Sequence, residues 1–231
     1  MRSLLVIPLL LTTAPAAFAQ TEEQKHQQCI EKIDQDAEAA YQDGLSWLAR
    51  GNRPAARHCT ALALIALGQE AEGAARLEEL ANAPDGGTLD ERGVYLVQSG
   101  NAWLMAGMPD AAVVTLTNAI KLRSIDGELF KDRARAYVSL SKWAEAGKDL
   151  DQAIRLSAAD AEAYRLRGLS LLKMNRLKDA WDDVQIAMRL APKDLNVVVL
   201  RGDVREAMRL AGMDDPAGLE DTEARTRIVG N

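Results

Sequence analysis

Aromatic side chains are scarce in this chain of 231 residues, which holds four Trp, four Tyr and two Phe. Strands favour aromatic and β-branched residues, so an all-β fold is excluded. Two His and two Cys leave few ligands for a structural zinc site and little material for histidine-based catalysis. No phosphate-cradling glycine loop, H-E-x-x-H, G-x-S-x-G or kinase signature occurs. An excess of positive charge is missing too. The 28 Lys and Arg stand against 34 Asp and Glu, and the net charge of -6 repels phosphate backbones and anionic lipid. The inventory points to no cofactor, no metal, no nucleic-acid partner and no enzyme. One conceivable nucleophile-base pair, His58 beside Cys59, is opposed by geometry, because neighbours on a helix point about 100° apart. Paired acids such as Asp182-Asp183 and Asp214-Asp215 read as solvated faces.

What the chain does hold is Ala, 39 residues, and Gly, 16 residues, within a 48% hydrophobic composition. That mixture suits closely packed helices with a substantial core.

The first nineteen residues read as a secretory signal. Arg2 supplies the positive start, Leu4 to Phe18 the uncharged run, and Ala17 and Ala19 the small residues that a signal peptidase accepts. Cleavage is expected between Ala19 and Gln20. Pro8 and Pro15 interrupt a stretch already shorter than the ~20 apolar residues of a membrane span, so no stable membrane insertion is expected afterwards. Loss of Arg2 takes the net charge to -7.

Export into an oxidising compartment favours a Cys29–Cys59 disulfide, the only intramolecular pairing. Closing a loop of about 30 residues is worth roughly 3 to 4 kcal/mol. Two buried free thiols are the alternative; the spacing is far from a C-x-x-C redox pair. If the bridge forms, one straight helix from Cys29 to Arg50 is impossible, because Cys29 would lie ~30 Å from the following turn and Cys59 only ~10 Å. The chain must fold back near Asp34-Gln35-Asp36, after a first helix opened by the capping box Thr21-Glu22-Glu23-Gln24.

Comparison of the chain with itself finds a period of 34 residues. Gly100, Ala134, Gly168 and Gly202 fall on it, as do Ala112, Ala146 and Ala180, and Ala119, Ala153 and Ala187. Large residues keep step: Trp103, Tyr137 and Leu171 on one row, Leu116, Leu150 and Val184 on another. Each unit reads as two helices about a turn, such as Gly107 to Pro109, and Asp126, Asp160 and Asp194 sit where they cap the first helix of a unit.

This 34-residue pattern resembles the tetratricopeptide repeat. The fullest copy carries Tyr164, Gly168, Leu171, Ala180, Val184, Ala187 and Pro192; Arg167 departs from the Leu that the family favours. The resemblance implies an all-α, right-handed α-solenoid of helix-turn-helix repeats. The expected organisation is a signal at 1–19, N-terminal capping helices at 20–53, and a degenerate unit with an insertion at 54–92. Full units follow at 93–126, 127–160 and 161–194, then a capping helix at 195–213 and a polar tail at 214–231. Such repeats in an exported protein point to a bacterial periplasm.

By the family's usual geometry the first helices line a concave groove. The outward-looking residues there are Val97, Asn101 and Met105, then Lys131 and Arg135, then Arg165, Leu169 and Leu172, and finally Val199 and Leu200. Lys131, Arg135 and Arg165 offer a basic spot for a peptide carboxylate. Ordinary pairing with Glu128, Asp132 and Glu162 at helical spacing is the favoured reading. Some family members clamp a C-terminal carboxylate with Lys and Asn, but Asn101 and Lys131 match that arrangement only loosely. The expectation is a scaffold or adaptor that holds a protein or peptide partner, as a monomer or weak homodimer. The alternatives are a self-associating structural protein of the envelope and an accessory domain of an enzyme.

Overall fold

A computed structural model describes residues 20–123 and 125–213; the signal segment and the polar tail read from the sequence lie outside these. The described residues form eleven helices. They are α1 (Glu22–Ile33), α2 (Ala37–Leu48), α3 (Pro54–Ala66), α4 (Glu70–Asn82), α5 (Leu89–Met105), α6 (Pro109–Leu122), α7 (Gly127–Ser139), α8 (Trp143–Leu156), α9 (Ala161–Lys173), α10 (Leu177–Leu190) and α11 (Leu195–Leu210).

Local signals set the boundaries. Thr21 accepts from the Gln24 backbone N–H while the Gln24 side chain accepts from Thr21, which closes the capping box expected for α1. Thr88 and Glu91 do the same for α5. Asp126, Asp160 and Asp194 each accept from a backbone N–H in the first turn of α7, α9 and α11. The turns within the four hairpins from α3 to α10 share one geometry. Gly68, Gly107, Ser141 and Asn175 all take positive φ, at 77°, 70°, 56° and 58°. The residue after each bonds back to the helix, as when Met108 N–H donates to Trp103 C=O at 2.8 Å and Lys142 N–H to Tyr137 C=O at 2.8 Å.

The chain reverses where the disulfide argument required. α1 ends at Ile33, Asp36 caps α2, and Cys29 meets Cys59 of α3 with their Cα atoms 6.0 Å apart. α1 and α2 pack on α3 as a hairpin in series with those that follow, so the cap expected at 20–53 extends the stack itself. Each helix packs on the next. α1 also touches α3, α5 touches α7, α7 touches α9, and α9 touches α11. The odd-numbered helices therefore form an inner layer of an α-solenoid and the even-numbered ones an outer layer.

Small residues sit where the layers close. Ala112, Ala146, Ala180, Ala119 and Ala187 are fully buried, and Ala153 nearly so. A methyl group on Gly100 would lie 2.5 Å from Leu116 Cγ, closer than any real side-chain contact, so α5 and α6 meet at that bare backbone. Leu116, Leu150 and Val184 fill the space this leaves, each fully buried and worth about 2 kcal/mol of transfer free energy. Gly202 departs from its row. Nothing lies within 4 Å of a methyl placed there, because no second helix covers that face of α11 among the described residues.

Three changes test this packing. Gly100→Ala should destabilise by about 1 to 3 kcal/mol through overpacking. Ser141→Gly should stabilise by up to ~1 kcal/mol, because it relieves the left-handed turn. Reduction of the disulfide should cost about 3 to 4 kcal/mol. Urea unfolding of the three forms reads all of them, and equal midpoints for Gly100→Ala and the parent would contradict the close approach.

Candidate interaction groove

The inner layer places one row of side chains at equivalent positions along the array: His58 on α3, Val97 on α5, Lys131 on α7, Arg165 on α9 and Val199 on α11. The step is 34 residues throughout, except for 39 between His58 and Val97, where the turn around Pro84 to Thr88 adds five.

The residues expected to face the groove divide into exposed, half-buried and buried sets. Met105 and Val199 are 64% and 62% exposed. Val97, Asn101, Arg135, Arg165, Leu169 and Leu172 are half-buried. Val97 packs with Leu62 and Ile65 of α3 on the core around Leu77 and Tyr95; Leu169 and Leu172 pack on the core around Val184 and Leu200. Leu200 itself is 4% exposed and belongs to that core, which corrects its placement in the groove. It projects with Val197, Val204 and Met208, the stripe that seats α11 on the preceding hairpin.

Lys131 is a second correction. Its side chain is 8% exposed and its Nζ donates to Asp160 at 2.5 Å and to Glu128 at 2.8 Å. Burial works against its charge, yet the two carboxylates hold its pKa above the ordinary lysine value. Asp160, also opposed by burial, is kept below the usual carboxylate range by Lys131 and by the backbone N–H groups of Ala163 and Glu162. Lys131 thus ties the start of α9 to α7 and offers no free charge to a ligand.

The remaining cations are neutralised in the same way. Asn101 donates to Asp132 at 3.1 Å, Asp132 pairs with Arg135, Arg135 approaches Glu162 at 3.8 Å, and Glu162 holds Arg165 through two bonds at 2.6 and 2.7 Å. Burial pushes the Asp132 carboxyl up, while the Asn101 bond and Arg135 pull it back. These contacts form a polar ladder across α5, α7 and α9. The basic spot is therefore self-satisfied, as helical spacing predicts for Arg135 with Asp132 and Arg165 with Glu162.

At the N-terminal end the ladder continues with uncharged groups. His26 Nε2 of α1 lies 2.8 Å from His58 Nδ1, and His58 Nε2 lies 2.7 Å from Gln98 Oε1 of α5. The His58 ring also packs against Tyr95 in a tilted arrangement, with centroids 4.8 Å apart. Burial lowers His58 to about 4, against a smaller upward pull from Gln98, and it lowers His26 as well. Cys59 is held in the disulfide and His58 turns to His26 and Gln98, so the two form no nucleophile-base pair.

Between the layers runs a feature that the sequence reading missed. Arg133 forks onto Asp149 with both bonds at 2.7 Å, and 34 residues on Arg167 forks onto Asp183 with both at 2.7 Å. Asp183 is 4% exposed, so it is no solvated face; its neighbour Asp182 is exposed. Asp214-Asp215 lies outside the described residues. The departure at Arg167 is thereby explained: the guanidinium replaces an apolar contact with a two-bond staple from α9 to α10, and the Asp183 bonds raise its own pKa. The signal was present as Arg and Asp sixteen residues apart in two successive units. Among the described residues, no three of His, Cys, Asp and Glu gather as metal ligands, and no helix is long and apolar enough to cross a membrane.

No family model matches the chain, and no curated protein matches it closely enough to count. Solved structures do. A TPR domain of Arabidopsis OM64 shares 26% identity and covers 52% of this chain and 98% of its own, with a TM-score of 0.50. The first TPR of Spaghetti (RPAP3), solved with the HSP90 peptide SRMEEVD, shares 25% identity over 51% of this chain and 93% of its own, with a TM-score of 0.50. MamA from Desulfovibrio magneticus RS-1 matches in fold over 75% of this chain and 95% of its own, with a TM-score of 0.63 at 15% identity.

Lys131→Ala should destabilise by about 2 kcal/mol, because the half-buried Asp160 loses the cation that ties α9 to α7. Arg176→Ala, which breaks an exposed pair with Asp179, should cost under ~1 kcal/mol. Thermal unfolding compares the two, and equal losses would refute the buried role of Lys131.

Proposed function

We propose that this chain, whose stacked hairpins are similar to solved TPR domains, is an exported scaffold that holds a protein or peptide along its concave face. The observation that carries the reading is the division of the inner row. Its central cations are spent on Asp132, Asp160 and Glu162, while apolar side chains stand open on either side of them: Val94 and Met105 on α5, Val199 on α11. Such a face is suited to apolar side chains of a partner rather than to a terminal carboxylate. Val97, Asn101, Met105, Arg135, Arg165, Leu169, Leu172 and Val199 are the proposed contact residues. The RPAP3 domain binds its HSP90 peptide with a related stack of hairpins. That supports recognition of a peptide here without carrying over the specificity.

Export is supported by the leader-like segment at 1–19 and by the disulfide, which an oxidising compartment such as the periplasm preserves. Self-association is the second reading, favoured by Leu195 and Leu210 of α11, which are 78% and 71% exposed.

Affinity capture from the envelope fraction, followed by titration of the captured protein, tests the proposal. Met105→Asp and Val199→Asp should each weaken binding about tenfold with unchanged melting temperature, since neither side chain is buried. Unchanged binding by both would remove the groove. A concentration-dependent dimer abolished by Leu210→Asp would favour the second reading.

A further inference from the structure

The ladder on the inner face links α1, α3, α5, α7 and α9 in turn, and its N-terminal links are the only ones made by histidine. They also span the junction with the five-residue insertion, where α3 and α5 lie out of the 34-residue step. We propose that the His26–His58–Gln98 chain is a pH-sensitive latch that holds α1, α3 and α5 in register and opens the N-terminal reach of the groove on acidification. This rests on the groove reading above.

Proton accounting supports it. Gln98 presents Oε1 to His58, so His58 Nε2 carries its proton and donates. His58 Nδ1 is then an acceptor, and His26 Nε2–H must donate to it across 2.8 Å. Both rings are neutral in this arrangement and only His26 Nδ1 is free. One proton added there leaves the chain of bonds intact but sets a cation against the buried His58 ring. A second proton has to go to His58 Nδ1, where two N–H groups would then face each other. The His26–His58 bond breaks at that point.

The charged groups on the packed elements are engaged by other partners. On α1, Glu22 is engaged by the Trp47 indole N–H of α2, by Lys25 and by Arg53. On α3, Arg57 pairs with Asp85, whose carboxyl that bond keeps below the usual range. On α5, Glu91 is also held low, by the Thr88 backbone and hydroxyl, and burial raises the Tyr95 hydroxyl. Both histidines are held below 6.5, while on α7 the Asp132 carboxyl, bonded to Asn101 of α5, is raised by burial, so its share of any acid response is separated by the histidine variants below. Imidazoles favoured as neutral in the fold stabilise it fully above the ordinary value of 6.5, and that stability is lost as pH falls toward about 4.

The experiment uses the full chain with its disulfide intact and no partner, so it reads the latch whether or not the groove reading is correct. Histidine ring resonances are followed by NMR as pH is lowered, and hydrogen exchange, corrected for intrinsic rates, is compared across α3, α5 and α9. Both rings should titrate below 6.5. Protection of α3 and α5 should fall about tenfold in acid while α9 keeps its protection. In His26→Gln/His58→Gln, which retains neutral donors and acceptors, that loss should vanish. His26→Gln alone, at a half-buried position, should halve the pH slope of stability and serves if the double variant does not fold. Two rings titrating at the ordinary value, an equal loss in the variants, or an unchanged slope would each overturn the latch. If the latch holds and Met105→Asp and Val199→Asp both leave binding unaltered, the groove reading fails alone.

Discussion

The structure depends on close approach of backbones at Ala and Gly. Hairpins stack only if consecutive helices come near enough for Leu116, Leu150 and Val184 to fill the space between them, and any larger residue at Gly100 or Ala134 would hold the helices apart. Once that spacing is set, the curvature and the inner layer follow. The turns are subordinate to it: Ser141 and Asn175 accept a left-handed backbone that Gly107 adopts without strain, because the stack fixes where each second helix must begin.

Electrostatics then determine what the inner face offers. In a chain with more acid than base, each cation of the groove finds a carboxylate either one helical turn away or on the next repeat. Pairs within one turn contribute little, while Lys131 with Asp160 and Arg167 with Asp183 are buried enough that removing one partner is costly. The polar residues of the groove act chiefly as ties between repeats. The apolar side chains on α5 and α11 are left for recognition, and the histidines join α1, α3 and α5 at the first junction.

The fold was legible in the sequence because its determinants recur at fixed spacing. Asp126, Asp160 and Asp194 cap from local geometry, Thr21 and Gln24 close a box within one turn, and the chain reversal followed from the reach of a single disulfide. The site was less legible because its contacts join different repeats. Lys131 reaches Asp160 across 29 positions and His58 reaches Gln98 across 40, and no helical periodicity connects them. Leu200 was misplaced for a related reason. It occupies the repeat position of Leu166, which is also buried, next to a row that faces outward, and one position along a helix is a turn of about 100°.

The most direct test of the account is a hydrogen-exchange footprint of the captured partner on the full chain. Protection gained along α5, α7, α9 and α11, with α6, α8 and α10 unaffected, is the predicted result. A footprint confined to the even-numbered helices would contradict it.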